Sequence, residues 1–137
     1  MAKRDEAYVD TSALIAFTDQ SDTYHALFAR LFANPPRLVT TSLVIAEGHG
    51  WFLRRYDRYK AMQFLGLIEA LTPMSVVSVS RRDRQASFGL IRHYSDQNLT
   101  LADAVGLQVM ETRGVGSCWS TDFHLGITGV PLAIHEH

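Results

Sequence analysis

The stretch Tyr8-Val9-Asp10-Thr11-Ser12-Ala13-Leu14-Ile15 decides how the rest of the chain is read. It opens as a short apolar strand, then places an acid, a threonine and a serine in a row. Ala13-Leu14-Ile15-Ala16-Phe17 follows and reads as a buried helix. An acid at the carboxyl end of a first strand sits where open α/β sheets bind ligands. Asp10 is therefore expected in a crevice. Asp10 or Ser12 can also be read simply as the N-cap of the helix that follows.

Outward from this stretch, strands and helices alternate. Residues 7–9, 37–40, 75–79 and 117–120 are short and β-prone, and 131–134 read as a last, edge strand, where proline is tolerated. Ser21, Asp22 and Thr23 offer caps for a second helix with the stripe Tyr24, Leu27, Phe28, Leu31 and Phe32, stopped at Asn34-Pro35-Pro36. Thr41 or Ser42 caps a third helix, interrupted by Gly48 and Gly50, each costing about 1 kcal/mol against alanine. Asp57 starts a fourth, with Ala61, Phe64, Leu65, Ile68 and Leu71 on one side, ended by Thr72-Pro73. Ser80 caps a fifth that opens on Arg81, Arg82, Asp83 and Arg84, although cations are unfavourable near a helix N-terminus. Residues 100–111 form a sixth, Gly114 and Gly116 turn the chain, and a short turn or helix follows Asp122. This alternation predicts an α/β fold: a parallel sheet covered by helices on both faces. It forms a single domain over 1–137, with a core at about 7–134.

Composition narrows the functional classes. A chain of 137 residues that is 47% hydrophobic and 20% charged can bury a sizeable core. With a formal net charge of −1, contact with nucleic acid has to come from a local basic patch. The lone Cys118 excludes an intramolecular disulfide and a cysteine-rich zinc site, and suits a reducing cytoplasm. The charged start, Met1 to Glu6, predicts no signal peptide, and no apolar run is long enough to span a bilayer.

Four acids stand apart from the rest. Asp10 and Asp122 follow strands. Glu47, in Val44-Ile45-Ala46-Glu47, and Asp103, in Leu99-Thr100-Leu101-Ala102-Asp103-Ala104, fall in early turns of helices that start near strand ends. In a parallel sheet all four places face the carboxyl edge, so their carboxylates are expected to converge on one pocket. Each also has a plain alternative: Asp103 has capping-box spacing from Thr100, Asp122 can cap its turn, and Glu47 can be a solvated acid. Two like charges about 4 Å apart repel by ~4 kcal/mol at an effective dielectric near 20. Such a cluster either takes up protons or holds divalent cations. Oxygen ligands with no cysteine favour magnesium or manganese over zinc, which suits phosphodiester hydrolysis.

Val9-Asp10-Thr11-Ser12-Ala13-Leu14, Val44-Ile45-Ala46-Glu47, Leu99-Thr100-Leu101-Ala102-Asp103-Ala104 and Ser120-Thr121-Asp122-Phe123-His124 resemble the motifs of the PIN domain, most of all its bacterial VapC-type toxin branch. The likeness spans the chain from about Tyr8 to Ile134. It implies a helix-covered parallel sheet, a Mg2+- or Mn2+-dependent ribonuclease, a homodimer, and an antitoxin that blocks the active site. By position, Asp10, Glu47, Asp103 and Asp122 match the family's acidic quartet, and Thr11 and Ser12 its supporting hydroxyls; Thr100 supports Asp103. Leu125 stands where phenylalanine is common, and glycines follow Glu47.

Arg54 lies two turns after Glu47, about 10 Å along the same helical face, and with Arg55 it is a candidate phosphate contact. Arg58 and Lys60 extend the basic run, and Arg81, Arg82 and Arg84 form a second one; solvated surface or ion pairs would also account for them. His49 and His124, close to acids in sequence, are candidates for proton transfer or plain packing, and the His135-Glu136-His137 tail for stray metal or fraying. Two other functions compete. A PIN-like interaction module without catalysis would not need the quartet. An aspartyl-phosphate phosphatase needs a second acid two residues after the first, where this chain has Ser12.

Overall fold

A computed structural model of the chain describes residues 4–136; the first three residues of the charged start and His137 of the tail lie outside them. Strand β1 (Arg4–Val9) runs through the middle of a four-stranded sheet of order β3-β2-β1-β4, with β2 at Arg37–Thr41, β3 at Met74–Val77 and β4 at Val115–Trp119. All three pairings are parallel. The chain steps outward from β1 to β2 and β3, then crosses back to place β4 on the far side of β1. That reversal makes the carboxyl ends of β1 and β4 the natural crevice of the sheet. Central position explains why Ala7, Tyr8 and Val9 are all buried: a strand covered on both faces is apolar throughout rather than alternating.

The helices are α1 (Thr11–Thr18), α2 (His25–Ala33), α3 (Ser42–Arg55), α4 (Arg58–Ala70), α5 (Arg81–His93), α6 (Leu101–Arg113) and α7 (Ala133–Glu136). A 3-10 turn spans Phe123–Gly126. Thr41, Asp57, Ser80 and Thr100 cap the helices they were expected to start. The cationic opening of α5 is offset by a full capping box between Ser80 and Asp83.

The structure departs from the sequence reading in several places; β1 begins at Arg4 and β4 spans Val115–Trp119, leaving Ser120 outside it. Residues 131–134 form no strand: Leu132 makes one isolated bridge to Cys118, and the chain then turns into α7. Pro131 has no N–H to offer, so only its carbonyl joins β4, accepting from Cys118 N at 2.9 Å. Gly116 lies inside β4; the turn before it rests on Gly114 alone, at φ 62°. β3 begins at Met74 and stops at Val77, two residues short of the expected end. The N-cap of α2 is Tyr24, with no side-chain cap bond, while Asp22 accepts the Tyr24 N–H at 2.8 Å.

Gly48 and Gly50 do not break α3. At Gly48 an added Cβ would overlap the Phe64 ring of α4, so this glycine is where α3 and α4 touch. A glycine-to-alanine change in a helix ordinarily gains up to about 1 kcal/mol, whereas overpacking a core costs about 1–3 kcal/mol. Gly48→Ala should therefore lower stability, and Gly66→Ala in α4, where a Cβ meets nothing within 4 Å, should raise it. Urea unfolding midpoints moving in opposite directions check this pair. A gain at Gly48→Ala would mean that the Phe64 ring yields.

Candidate active site

Four segments deliver acids to one place. A cleft of about 260 Å³ is lined by Asp10, Thr11, Ser12, Ile15, Glu47, Trp51, Arg54, Thr100, Asp103 and Asp122. It lies where β1 and β4 end and α1, α3 and α6 approach. A larger cavity, about 640 Å³, lies beside the starts of β1 and β4 and holds none of these four carboxylates. The smaller cleft is where the four acids meet.

Asp10 is almost wholly buried. Its Oδ2 accepts from Ser12 Oγ at 2.8 Å, from Ser120 Oγ at 2.9 Å and, more weakly, from Ser12 N at 3.4 Å, which also makes it the N-cap of α1. The same two hydroxyls accept onward bonds: Thr121 N donates to Ser12 Oγ at 3.0 Å and Asp122 N to Ser120 Oγ at 2.9 Å. The end of β1 and the segment after β4 are thus laced together around one carboxylate. Thr11 takes no part in this lacing; its Oγ1 is buried without a hydrogen-bond partner. Orientation of Asp10 falls to Ser12 and to Ser120, which sequence reasoning did not single out.

Asp103 is held in a reciprocal capping box. Thr100 Oγ1 accepts the Asp103 N–H at 3.0 Å, and Asp103 Oδ2 accepts the Thr100 N–H at 3.1 Å. Asp122 caps the 3-10 turn: its Oδ1 accepts the His124 N–H at 2.9 Å and lies 3.0 Å from His124 Nδ1. Glu47 reaches the cleft from the exposed side of α3.

Among the described residues, Arg54 is the one arginine that lines the cleft. Its guanidinium folds back along α3 over Gly50, where a Cβ would come within 3.0 Å of Nη1, and it makes no ion pair among the described residues. Arg55 lies elsewhere, over the Tyr56 ring at 5.6 Å. Trp51, one turn after Glu47, joins the wall and was not foreseen, because an aromatic on an apolar helix face reads as core.

Burial pushes the Asp10 carboxyl above the usual range, and the charge of Asp103 adds to the rise against the bonds from Ser12 and Ser120. Burial likewise raises Asp103, reinforced by Asp122 and Glu47 and opposed by the Thr100 bonds. The site is therefore short of positive charge.

The sequence matches the PIN domain family over residues 7–123, and the chain belongs to that family. It is 28% identical over 124 residues to the 23S rRNA-specific endonuclease VapC20 of Mycobacterium tuberculosis, covering 89% of this chain and 93% of the relative. The crystal structure of that sarcin-ricin loop cleaving toxin superposes with a TM-score of 0.83 at 23% identity, over 90% of this chain and 95% of the other. A toxin–antitoxin complex from Klebsiella pneumoniae aligns with a TM-score of 0.62 at 18% identity, covering 92% of this chain and 94% of that one.

A carboxyl whose pKa is raised on folding binds its proton more tightly in the native state than in the unfolded chain. Its ionisation then costs stability above the folded pKa, and that cost disappears as pH falls toward the unfolded value. In chelator, the melting temperature should therefore rise as the pH is lowered from neutral toward the ordinary carboxylate range. Asp10→Asn should rise less. Differential scanning fluorimetry across that range checks it; identical slopes for the two proteins would show that Asp10 is not under this strain.

Proposed function

We propose that this chain is a metal-dependent endoribonuclease acting as the toxin of a toxin–antitoxin pair. The observation that carries the reading is the convergence of Asp10, Glu47, Asp103 and Asp122 on one cleft where burial and mutual repulsion leave the carboxylates short of positive charge. Those donors are all oxygens, the chemistry that Mg2+ and Mn2+ accept. Asp10, Glu47, Asp103 and Asp122 would hold the cation, which when bound polarises a phosphoryl oxygen and lowers the pKa of water.

The chain's own groups do the rest. Ser12 and Ser120 fix the Asp10 carboxylate through Oδ2, and Thr100 fixes Asp103, so the donors need little reorganisation to bind. Arg54, at the cleft wall and without an ion pair among the described residues, holds a phosphate of the RNA backbone; Arg55, outside the cleft, adds only to the approach field. RNA as the substrate is supported by the endonuclease relative, and an antitoxin partner by the toxin–antitoxin relative. A homodimer in the cytoplasm completes the reading. No helix among the described residues is long and apolar enough to cross a membrane. Ser12, two residues after Asp10 and bonded to it, leaves no second acid for aspartyl-phosphate chemistry.

Two variants test this. Asp10→Asn should lose RNA cleavage by at least about a hundredfold while staying folded, because it removes ligand charge and also relieves repulsion. Wild type and variant are incubated with total RNA, with Mn2+ and with chelator. Cleavage that persists equally in the variant, or that ignores chelator, overturns the assignment. Arg54→Ala should instead weaken RNA binding and make its dependence on log salt shallower by about 0.7–0.9. An unchanged slope in a filter-binding series would remove Arg54 from the phosphate path.

A further inference from the structure

The metal reading leaves one neighbour of the cleft unused. One donor atom from each of Asp103, Asp122 and His124 lies within 4.8 Å of the other two. The short turn after β4 brings this about: the His124 N–H donates to Asp122 Oδ1, and the ring folds back so that Nδ1 lies 3.0 Å from the same oxygen. At 3.0 Å, Nδ1 and Asp122 Oδ1 have the separation of two neighbouring donors on one octahedral cation with bonds of about 2.1 Å. Nδ1, free of its proton, is then the nitrogen that can share an ion with Asp122.

A second observation points into the same cleft. Thr11 is 5% exposed and lines the cleft with Asp103 and Asp122, yet its Oγ1 has no hydrogen-bond partner. Buried hydroxyls are normally satisfied, and an unsatisfied one is costly. Thr11 Oγ1 is thus a buried hydroxyl at the cleft wall that no described group satisfies.

We propose that His124 is a nitrogen ligand, beside Asp103 and Asp122, to a divalent cation at this cleft, and that it biases the site toward Mn2+ over Mg2+. The inference rests on the metal reading given above. Mg2+ is a hard cation that keeps to oxygen donors and water; Mn2+ accepts the same oxygens and binds a neutral imidazole more readily. The other acids of the cleft, Asp10 and Glu47, offer oxygen only and do not discriminate. His124 supplies the difference, and sequence alone does not show it, because only the turn geometry folds the ring onto Asp122.

The test is Mn2+ binding to the full chain, read by electron paramagnetic resonance, with Mg2+ as competitor. Pulsed spectra of bound Mn2+ should show nitrogen modulation from a coordinated imidazole. His124→Ala should lose that modulation and weaken Mn2+ binding at least about tenfold, while Mg2+ affinity changes less than about threefold. His49→Ala, the histidine nearest Glu47 in sequence, should keep it. If His124→Ala fails to fold, His124→Gln is expected to give the same spectral loss. No Mn2+ binding by wild type, bound Mn2+ without nitrogen modulation, or modulation that survives in His124→Ala or His124→Gln would each overturn the proposal. Chelator-sensitive RNA cleavage alongside any of these failures would leave the nuclease reading intact. Mn2+ held through His124 in a protein that cleaves no RNA would support the ligand and sink the nuclease.

Discussion

A buried carboxylate with no cationic partner has to be held by neutral donors, and the arrangement of this molecule's carboxyl edge follows from that constraint at Asp10. Among the described residues no lysine, arginine or histidine pairs with it. The hydroxyls of Ser12 and Ser120 take that place, and they do more than stabilise one side chain. Ser12 belongs to α1 and Ser120 follows β4, so their shared acceptor ties together the two segments that flank the crevice. Because the same serines also receive the N–H groups of Thr121 and Asp122, the fourth acid is positioned by the network that holds the first.

The third acid is brought near by an absence of side chain. Tyr8, fully buried in β1, lies under α6 at Gly106, where a Cβ would come within 2.8 Å of its hydroxyl. Gly106 is less than one turn beyond Asp103, so the close seating of α6 on β1 is also what brings Asp103 close enough for its charge to act on Asp10. Gly48 does the corresponding work between α3 and α4, one residue after Glu47. Both glycines look like weak points in a helix when read from propensity alone. In the fold they mark where helices must approach, and each stands next to or near an acid of the cleft.

Most of the architecture was legible because it rests on local rules. Proline stops, side-chain caps and β-branched runs set the element order and the parallel sheet. The strand expected at 131–134, which does not form, shows the limit: Leu132 and Ile134 have the composition of a strand, but a strand needs a row of N–H donors, and Pro131 breaks it at the first pairing. The positions of the four acids were also legible, since Asp10, Glu47 and Asp122 come soon after a strand and Asp103 opens the helix that leads into β4. Ser120 and Trp51 were not, because nothing in a lone serine or an apolar helix face announces what it meets across the fold. The same holds for Glu6 and Arg113, a bidentate pair at 2.7 and 3.0 Å whose members are far apart in the chain. A nearly buried acid with an arginine from the end of α6 anchors the opposite end of β1 from the cleft.

Reading the acids as helix caps and reading them as a functional cluster are not rivals. Asp10 caps α1, Asp103 closes the capping box of α6, and Asp122 caps the 3-10 turn. In a parallel α/β fold a helix or turn that follows a strand begins at the carboxyl edge, and so does a helix that leads back into one, as α6 leads into β4, so every acid placed at such a start is delivered to the same rim. The partial positive charge of each N-terminus and its free N–H groups favour an anion there, which offsets part of the repulsion among the acids before any cation arrives. Capping is thus the physical means by which local sequence collects carboxylates into one cleft. Glu47 is the exception that defines the rule: it sits in the second turn of α3, caps nothing, and reaches the cleft only by lying on the side of that helix from which Trp51 and Arg54 also face it.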